Sequence, residues 1–242
     1  MSFDLPRGMV LPVDKTDVRL DPAPHPFEAR HAQAIAANWE EEVAANPALF
    51  NGTMVLLSSL GYDKRRLAGR CHPVRYATML YWRKNKGEAG IEHSFAFPVL
   101  VSRDNALVAI RMGRHTANPG KIYFAAGSFE PMDFIDGQVD LHGNMAREVL
   151  EETGLDISSA RRDAVDHIFS LDSSTVIFRR YFLDEDAETL ARRIEAFVAK
   201  EAEPEIERPI VIRSGTVRPE GMIGHMNAIV RWHFENAASS AG

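Results

Sequence analysis

The sequence predicts an α/β protein: a mixed sheet with helices packed on both faces over residues 91–242, preceded by an α+β extension over residues 1–90 that packs on this core. Three observations predict it. After residue 91, short apolar runs of strand length alternate with amphipathic helical stretches, the pattern that a sheet between helix layers requires. The polar, glycine-containing segment Lys84–Gly90 reads as a boundary. The chain has 242 residues, 45% apolar and 26% charged, the composition of a globular protein able to bury a large core.

Residues 1–25 carry Pro6, Pro12, Pro22 and Pro24, with Pro26 following, which predicts an extended arm with one short strand at Asp17–Leu20. A helix is expected from Phe27 to Ala45, because Phe27, His31, Ile35, Trp39 and Val43 recur near the helical period and Asn46-Pro47 stops it. Met54–Leu60 and Arg66–His72 read as a strand pair across the turn Gly61-Tyr62-Asp63-Lys64, and Val74–Trp82 as a short helix. Phe95–Val101 and Ala106–Met112 form the first pair of the core about Arg103-Asp104-Asn105. Gly113–Gly120 is a loop, and Lys121–Ala125 leads into the glycine-containing segment Ala126–Pro131. A helix spans His142–Thr153, with Gly143 blurring its start. Ala164–Leu171 and Thr175–Phe182 are two strands joined at Asp172-Ser173-Ser174. Asp184–Lys200 is an amphipathic helix with Leu190, Ile194, Phe197 and Val198 on one face. Pro209–Arg213 is a short strand, Met222–Phe234 a closing helix, and the small polar residues from Asn236 a frayed tail.

Net charge is −6 and the isoelectric point about 5.9, so no long-range basic field toward nucleic acid or anionic membrane is present. The lone cysteine, Cys71, excludes an internal disulfide framework and a cysteine-rich zinc site; it reads as a small buried hydrophobe. The N-terminus lacks a basic region followed by an apolar run, and no apolar stretch is of bilayer-spanning length, so a cytoplasmic protein is expected.

The stretch that organises the chain is Arg147-Glu148-Val149-Leu150-Glu151-Glu152-Thr153-Gly154-Leu155. Gly154 is placed to end a helix in the left-handed conformation. On that helix Glu148, Glu151 and Glu152 stand at i, i+3 and i+4, on one face and within mutual reach. Their repulsion weakens an isolated helix, and carboxylates in the last turn also oppose the helix dipole. A hard divalent cation with oxygen ligands would offset both, whereas a solvated acidic face is the plainer alternative. Gly127, upstream, allows a backbone to come close and could add a carbonyl ligand.

These residues resemble the Nudix hydrolase signature: Gly, five residues, Glu, seven residues, then Arg-Glu-apolar-x-Glu-Glu-x-Gly-apolar. The second half matches throughout, at Arg147, Glu148, Val149, Glu151, Glu152, Gly154 and Leu155. In the first half Gly127 is followed by five residues and then by Asp133 where the family has Glu, and thirteen residues rather than seven separate Asp133 from Arg147. Asp140, closer to the helix, could take over part of the early carboxylate's role. The resemblance implies an α/β/α sandwich with the motif as a loop–helix–loop at one end of the sheet. Phe50-Asn51-Gly52 before an apolar strand, together with the lengthened motif, is also similar to the UDP-sugar-hydrolysing branch.

By spacing and by resemblance the metal ligands are Glu148, Glu151 and Glu152, with Gly127 beside them, and the expected cofactor is Mg²⁺ or Mn²⁺. The resemblance gives Arg147 the task of orienting a carboxylate through a bidentate ion pair, the alternative being a surface arginine. It also implies a general base, either a glutamate of the motif (Glu151, Glu152) or one of Glu203, Glu205 and Glu207 downstream, with Glu205 preferred because it precedes a strand. Arg111, Arg114 and Lys121 could neutralise phosphate oxygens. His115 and His225 read as core or surface residues, and Trp39, Tyr81 and Trp82 as core aromatics. The expected activity is metal-dependent cleavage of a nucleoside diphosphate linked to another moiety, of NDP-sugar or ADP-ribose type. The alternatives are a non-catalytic nucleotide sensor on the same scaffold, and another metal-assisted reaction on a diphosphate ester. The expected partner is a small-molecule nucleotide, without nucleic acid or membrane; a homodimer stays open.

Overall fold

The computed structural model describes residues 3–47, 49–87, 89–116 and 118–236; the tail expected to fray after Asn236 lies outside them. In chain order the elements are β1 (Phe3–Asp4), β2 (Val10–Val13), β3 (Lys15–Leu20), α1 (Pro26–Ala45), β4 (Thr53–Asp63), β5 (Arg66–Arg75) and α2 (Tyr76–Lys84). There follow β6 (His93–Val101), β7 (Leu107–Met112), β8 (Ile122–Tyr123), a 3-10 turn at Pro131–Asp133, β9 (Phe134–Ile135), β10 (Gln138–Val139) and α3 (Leu141–Thr153). The chain closes with β11 (Arg161–Arg162), β12 (Asp166–Leu171), β13 (Ser174–Phe182), α4 (Ala187–Val198), β14 (Ile206–Ile212) and α5 (Gly224–Glu235). This is the mixed α/β class that the sequence predicts.

The main sheet runs β14-β7-β6-β13-β12-β2, with β8 added on β7 and β11 on β13. Only β6 and β13 pair in parallel along that path. Leu107, Val108, Ala109 and Ile110 are all buried, so β7 is apolar on both faces, as a strand covered on both sides must be. Contacts from β13 show which helix covers which face. Tyr181 touches His142 and Met145 of α3, whereas Phe178 and Arg180 touch Trp232 of α5. Residues an odd number apart on a strand point to opposite faces, so α3 and α5 lie on opposite sides of the sheet. The sandwich is therefore present in the side-chain contacts.

The second sheet runs β1-β4-β5-β3-β10-β9, and α1 and α2 pack together on it over a smaller core that includes Phe27, Ile35, Leu56 and Trp82. Strand pairing crosses position 90 in both directions. The arm segment β2 pairs antiparallel with β12 of the main sheet, while β9 and β10 join β3 in the second. Leu57 and Glu92 exchange two backbone hydrogen bonds, at 2.9 and 3.1 Å, and Val55 N–H donates to Phe129 O at 3.0 Å. The two sheets thus share a seam, and the glycine-containing loop lies along it.

Among the described residues no helix is long and apolar enough to cross a membrane. Cys71 is buried and unpaired, and burial pushes its thiol up to about 12.

Candidate active site

The helix α3 begins and ends where its residue chemistry requires. Asp140 caps it, accepting from the Gly143 N–H at 3.0 Å. A Cβ at Gly143 would meet Asp140 Oδ2 at 2.3 Å, which explains a glycine in the first turn. Asp140 is thereby committed to capping. At the other end Gly154 is left-handed, φ +69°, and the Phe197 ring of α4 sits so close that a Cβ would approach it to 2.4 Å. Conformation and packing both demand glycine there.

Arg147 is the hub of the acidic cluster. Its guanidinium lies 3.0 Å from Asp133 Oδ1, 2.8 Å from Glu148 Oε1 and 3.0 Å from Glu151 Oε2. Asp133, the residue standing where the family has Glu, is nearly inaccessible and is held further by the Glu130 N–H and by Asn144 Nδ2. The shorter side chain still reaches Arg147. Burial opposes the Arg147 charge, but Asp133, Glu148 and Glu151 outweigh it and raise its pKa.

The three glutamates occupy different environments. Glu151 is largely exposed and held by Arg147 alone. Glu148 is buried, and burial pushes its carboxyl up to about 7 against the pull of Arg147. Glu152 is pushed up to about 8, first by burial and then by the fields of Glu148 and Glu205. Its Oε2 is buried without a hydrogen-bond partner. Gly127 lies directly over Glu148: a Cβ there would stand 2.5 Å from Glu148 Oε1. Its backbone closeness, rather than a left-handed turn, is what the glycine supplies.

Glu205 is exposed just before β14, its carbonyl accepting from Gly113 N–H at 2.8 Å, and its charge reaches both Glu152 and Tyr123. Glu203 and Glu207 are exposed, and Glu207 pairs loosely with Arg208 at 3.9 Å. Arg111 donates to the carbonyls of Gly120 and Glu220, tying two loops together. Arg114, His115 and Lys121 are exposed. None of these four lines the adjoining cavity.

That cavity, of about 380 Å³, opens beside Ala126, Gly127 and Ser128. Phe95, Phe97 and Tyr123 form one wall, with Phe97 and Tyr123 stacked at an interplanar angle of 7°. Trp82, Arg83 and Lys86, from α2 and the turn after it, form another. His93 and His225 also line it, and burial, with lesser help from nearby charge, holds His93 down at about 3. Trp39 and Tyr81 pack against the smaller core, as the sequence predicts, while Trp82 serves both core and cavity. The sequence reading passed over Arg83, Lys86 and His93. The available signal was the run Tyr81-Trp82-Arg83-Lys84-Asn85-Lys86, in which aromatic and basic residues meet at a helix end.

As donors, the carboxylates suit a hard divalent cation: they are oxygen ligands, Glu148 is buried, and Glu152 beside it carries a buried oxygen that is unsatisfied among the described residues. Among the described residues no group of three or more His, Cys, Asp or Glu is placed to hold a metal ion, and Arg147 pairs with Glu148 and Glu151.

No family model matches the chain, and no curated protein matches it. Among solved structures it is similar to the MutT protein from Methanosarcina mazei Go1, at 15% identity and a TM-score of 0.42, over 60% of this chain and 94% of that one. It is similar also to a protein from Deinococcus radiodurans, at 12% identity and a TM-score of 0.44, over 76% and 99% of the two chains. A NUDIX hydrolase from Nitrosomonas europaea is similar at 14% identity and a TM-score of 0.39, over 61% and 73%.

Proposed function

We propose that the chain is a Nudix hydrolase: a metal-dependent pyrophosphohydrolase that cleaves a nucleoside diphosphate linked to another moiety, of NDP-sugar or ADP-ribose type. The observation that carries this reading is Glu152, whose Oε2 is buried without a hydrogen-bond partner among the described residues and which feels the charge of Glu148, the carboxylate packed under Gly127 in the wall of an aromatic cavity. Burying like charges together is costly unless a cation or a proton compensates. The complete Arg147–Leu155 motif supports the same reading.

In this reading Glu148 and Glu152 hold Mg²⁺ or Mn²⁺, with Glu151 contributing from the exposed side. The ion supplies charge neutralisation on the diphosphate and a water of lowered pKa. The protein's part is positioning. Asp133 fixes Arg147, and Arg147 fixes Glu148 and Glu151, so the carboxylates meet the ion without a search over rotamers. Gly127 lets the loop backbone approach, and the cavity takes the half of the substrate beyond the scissile bond. Glu205, on the open side and within electrostatic reach of Glu152, is the base that takes the proton of the attacking water. Arg114 and Lys121, exposed on the loop before β8, meet outlying phosphate charge, and Arg111 braces that loop.

The test is product release from UDP-glucose, ADP-ribose, dinucleoside polyphosphates and nucleoside triphosphates, with Mg²⁺ or Mn²⁺ and with a chelator. Metal-dependent cleavage of at least one diphosphate-linked compound is expected. Folded protein inert toward the whole panel would overturn the reading. A second reading, a nucleotide sensor that does not cleave, is favoured by one observation: Arg147 engages two of the three glutamates. Calorimetry returning the bound nucleotide intact would establish it.

A further inference from the structure

Most arginines of this protein face a carboxylate, and so does Lys84, which sits 2.7 Å from Glu42. Its neighbours in the last turn of α2 and just beyond differ. The only hydrogen bond of Arg83 among the described residues goes to Asn118 Oδ1 at 3.5 Å, and Lys86 stands over the Trp82 ring, 5.9 Å from its centroid. Among the described residues neither has an acidic partner, and no carboxylate lines the cavity that both border. Burial lowers the pKa of both imidazoles that line the cavity, His93 and His225. Beside Arg83 and Lys86 lie the aromatic wall and the buried Trp82 indole N–H, which has no acceptor among the described residues.

We propose that Arg83 and Lys86 are the substrate-selecting residues of this cavity: together they bind the phosphate oxygens of a nucleotide whose planar part rests against the Trp82, Phe97 and Tyr123 rings. The chemistry follows from the lining. Two cations at an apolar rim, without a carboxylate partner among the described residues, attract an anion more strongly than the same charges in open solvent, because the low-dielectric wall focuses their field. Aromatic rings beside them accept a flat, uncharged face. A ligand that satisfies both is a nucleoside phosphate; a free nucleoside or a free sugar satisfies one. Arg83 also reaches inward, since Asn118 accepts from it and donates to Tyr123 Oη at 3.4 Å, so a ligand that draws Arg83 over also bears on the aromatic wall. The inference rests on this cavity being the substrate pocket of the proposed hydrolase, but it makes no use of the hydrolytic step.

Calorimetry on the full chain in a chelator separates the two ideas. The probes are UDP against uridine and ADP against adenosine. Each diphosphate is expected to bind at least about tenfold tighter than its nucleoside. The double variant Arg83→Gln/Lys86→Gln should lose about that tenfold while its melting temperature stays unchanged, because both side chains are exposed. Lys200→Gln, just past the end of α4 and outside the cavity lining, should bind as wild type does. In turnover the double variant should raise KM about tenfold with kcat within about twofold, the signature of lost uniform binding. Equal affinity for diphosphate and nucleoside in the wild type, or an unchanged preference in the double variant, would overturn the proposal. A preference that vanishes in the variant while no compound is cleaved would keep these roles and remove the hydrolase.

Discussion

Glu152 Oε2 and Asn144 Oδ1 are the two buried side-chain atoms of α3 without a hydrogen-bond partner among the described residues, and the chemistry proposed for the protein depends on the first. Replacing the Glu152 carboxyl by an amide removes the cost of burying an ionisable group, which burial has pushed up to about 8, and keeps the shape. Glu152→Gln should therefore stabilise the metal-free protein by about 1–3 kcal/mol, or about 2–4 °C per kcal/mol for a chain of this size. The same variant should lower kcat by about 10²-fold or more, and Mg²⁺ should no longer raise its melting temperature. Glu151→Gln, at an exposed position, should leave metal-free stability nearly unchanged. A Glu152→Gln protein that melts lower than wild type in chelator would contradict this account. The i, i+3, i+4 spacing made the cluster legible in the sequence; the ranking of its members was not, because burial of Glu152 under the Gly127 loop is a tertiary fact. Buried histidines set a second residue-scale expectation. Burial holds His167 and His233 down at about 4, below the ordinary 6.5. The unfolded chain then binds more protons than the folded one, so this stability is present above about pH 6.5 and is lost as pH falls toward 4. Each contributes about 1–3 kcal/mol. His233→Leu should flatten the acid limb of a stability–pH curve measured by urea melts; an unchanged slope would refute it.

At the scale of elements, the lengthened connection ahead of α3 has a visible purpose. Residues 134–139 form the hairpin β9–β10 about Asp136-Gly137, both at positive φ, and the hairpin adds to the edge of the second sheet. Gln138 faces Arg19, its side chain donates to Thr16 O at 3.0 Å, and Leu20 N–H donates to Gly137 O at 2.9 Å. The extra residues therefore tie β3 to the segment that also carries Asp133 and Asp140. Deleting residues 134–139 would leave seven residues between Asp133 and Arg147, the spacing of the family signature, and would keep the Asp140 cap. Such a protein should retain α3 but lose protection at the Leu20 amide in hydrogen exchange, by about tenfold or more. Undiminished protection there would mean that β3 needs no hairpin. The sequence foretold α3 and β6 to their ends within a few residues, because an amphipathic helix with a glycine stop and a continuous apolar strand are local patterns. It did not foretell β9 and β10, whose two-residue strands hold by pairing alone, nor β2, where Val10-Leu11-Pro12-Val13 carries a proline that only an edge strand tolerates.

For the whole molecule, the consequence of a shared seam is that the arm and the main sheet stand or fall together. β2 covers the free edge of β12 and buries Val13, while Arg7 donates to Glu92, a residue 6% exposed, and to the Asp172 carbonyl. Glu92 precedes His93 on the cavity floor and holds Leu57 across the seam, so the arm pins the place where both sheets meet the cavity. Burial raises the Glu92 pKa and Arg7 pulls against that rise, which makes Arg7 the group that offsets the cost of charge on this buried carboxyl. Removing residues 1–13 strips the β12 edge and strands Glu92 at once; Arg7→Gln does only the second. The truncation should lower the urea midpoint by an amount equivalent to about 3–5 kcal/mol, combining one buried valine with one unpaired buried carboxylate. Arg7→Gln should account for part of that loss, and it should recover as pH is lowered, since protonation relieves an unpaired carboxylate. If the truncated chain unfolds at the wild-type midpoint, the seam is not what holds the cavity wall. If Arg7→Gln matches the truncation at every pH, the β2 pairing contributes nothing and the ion pair does all of it.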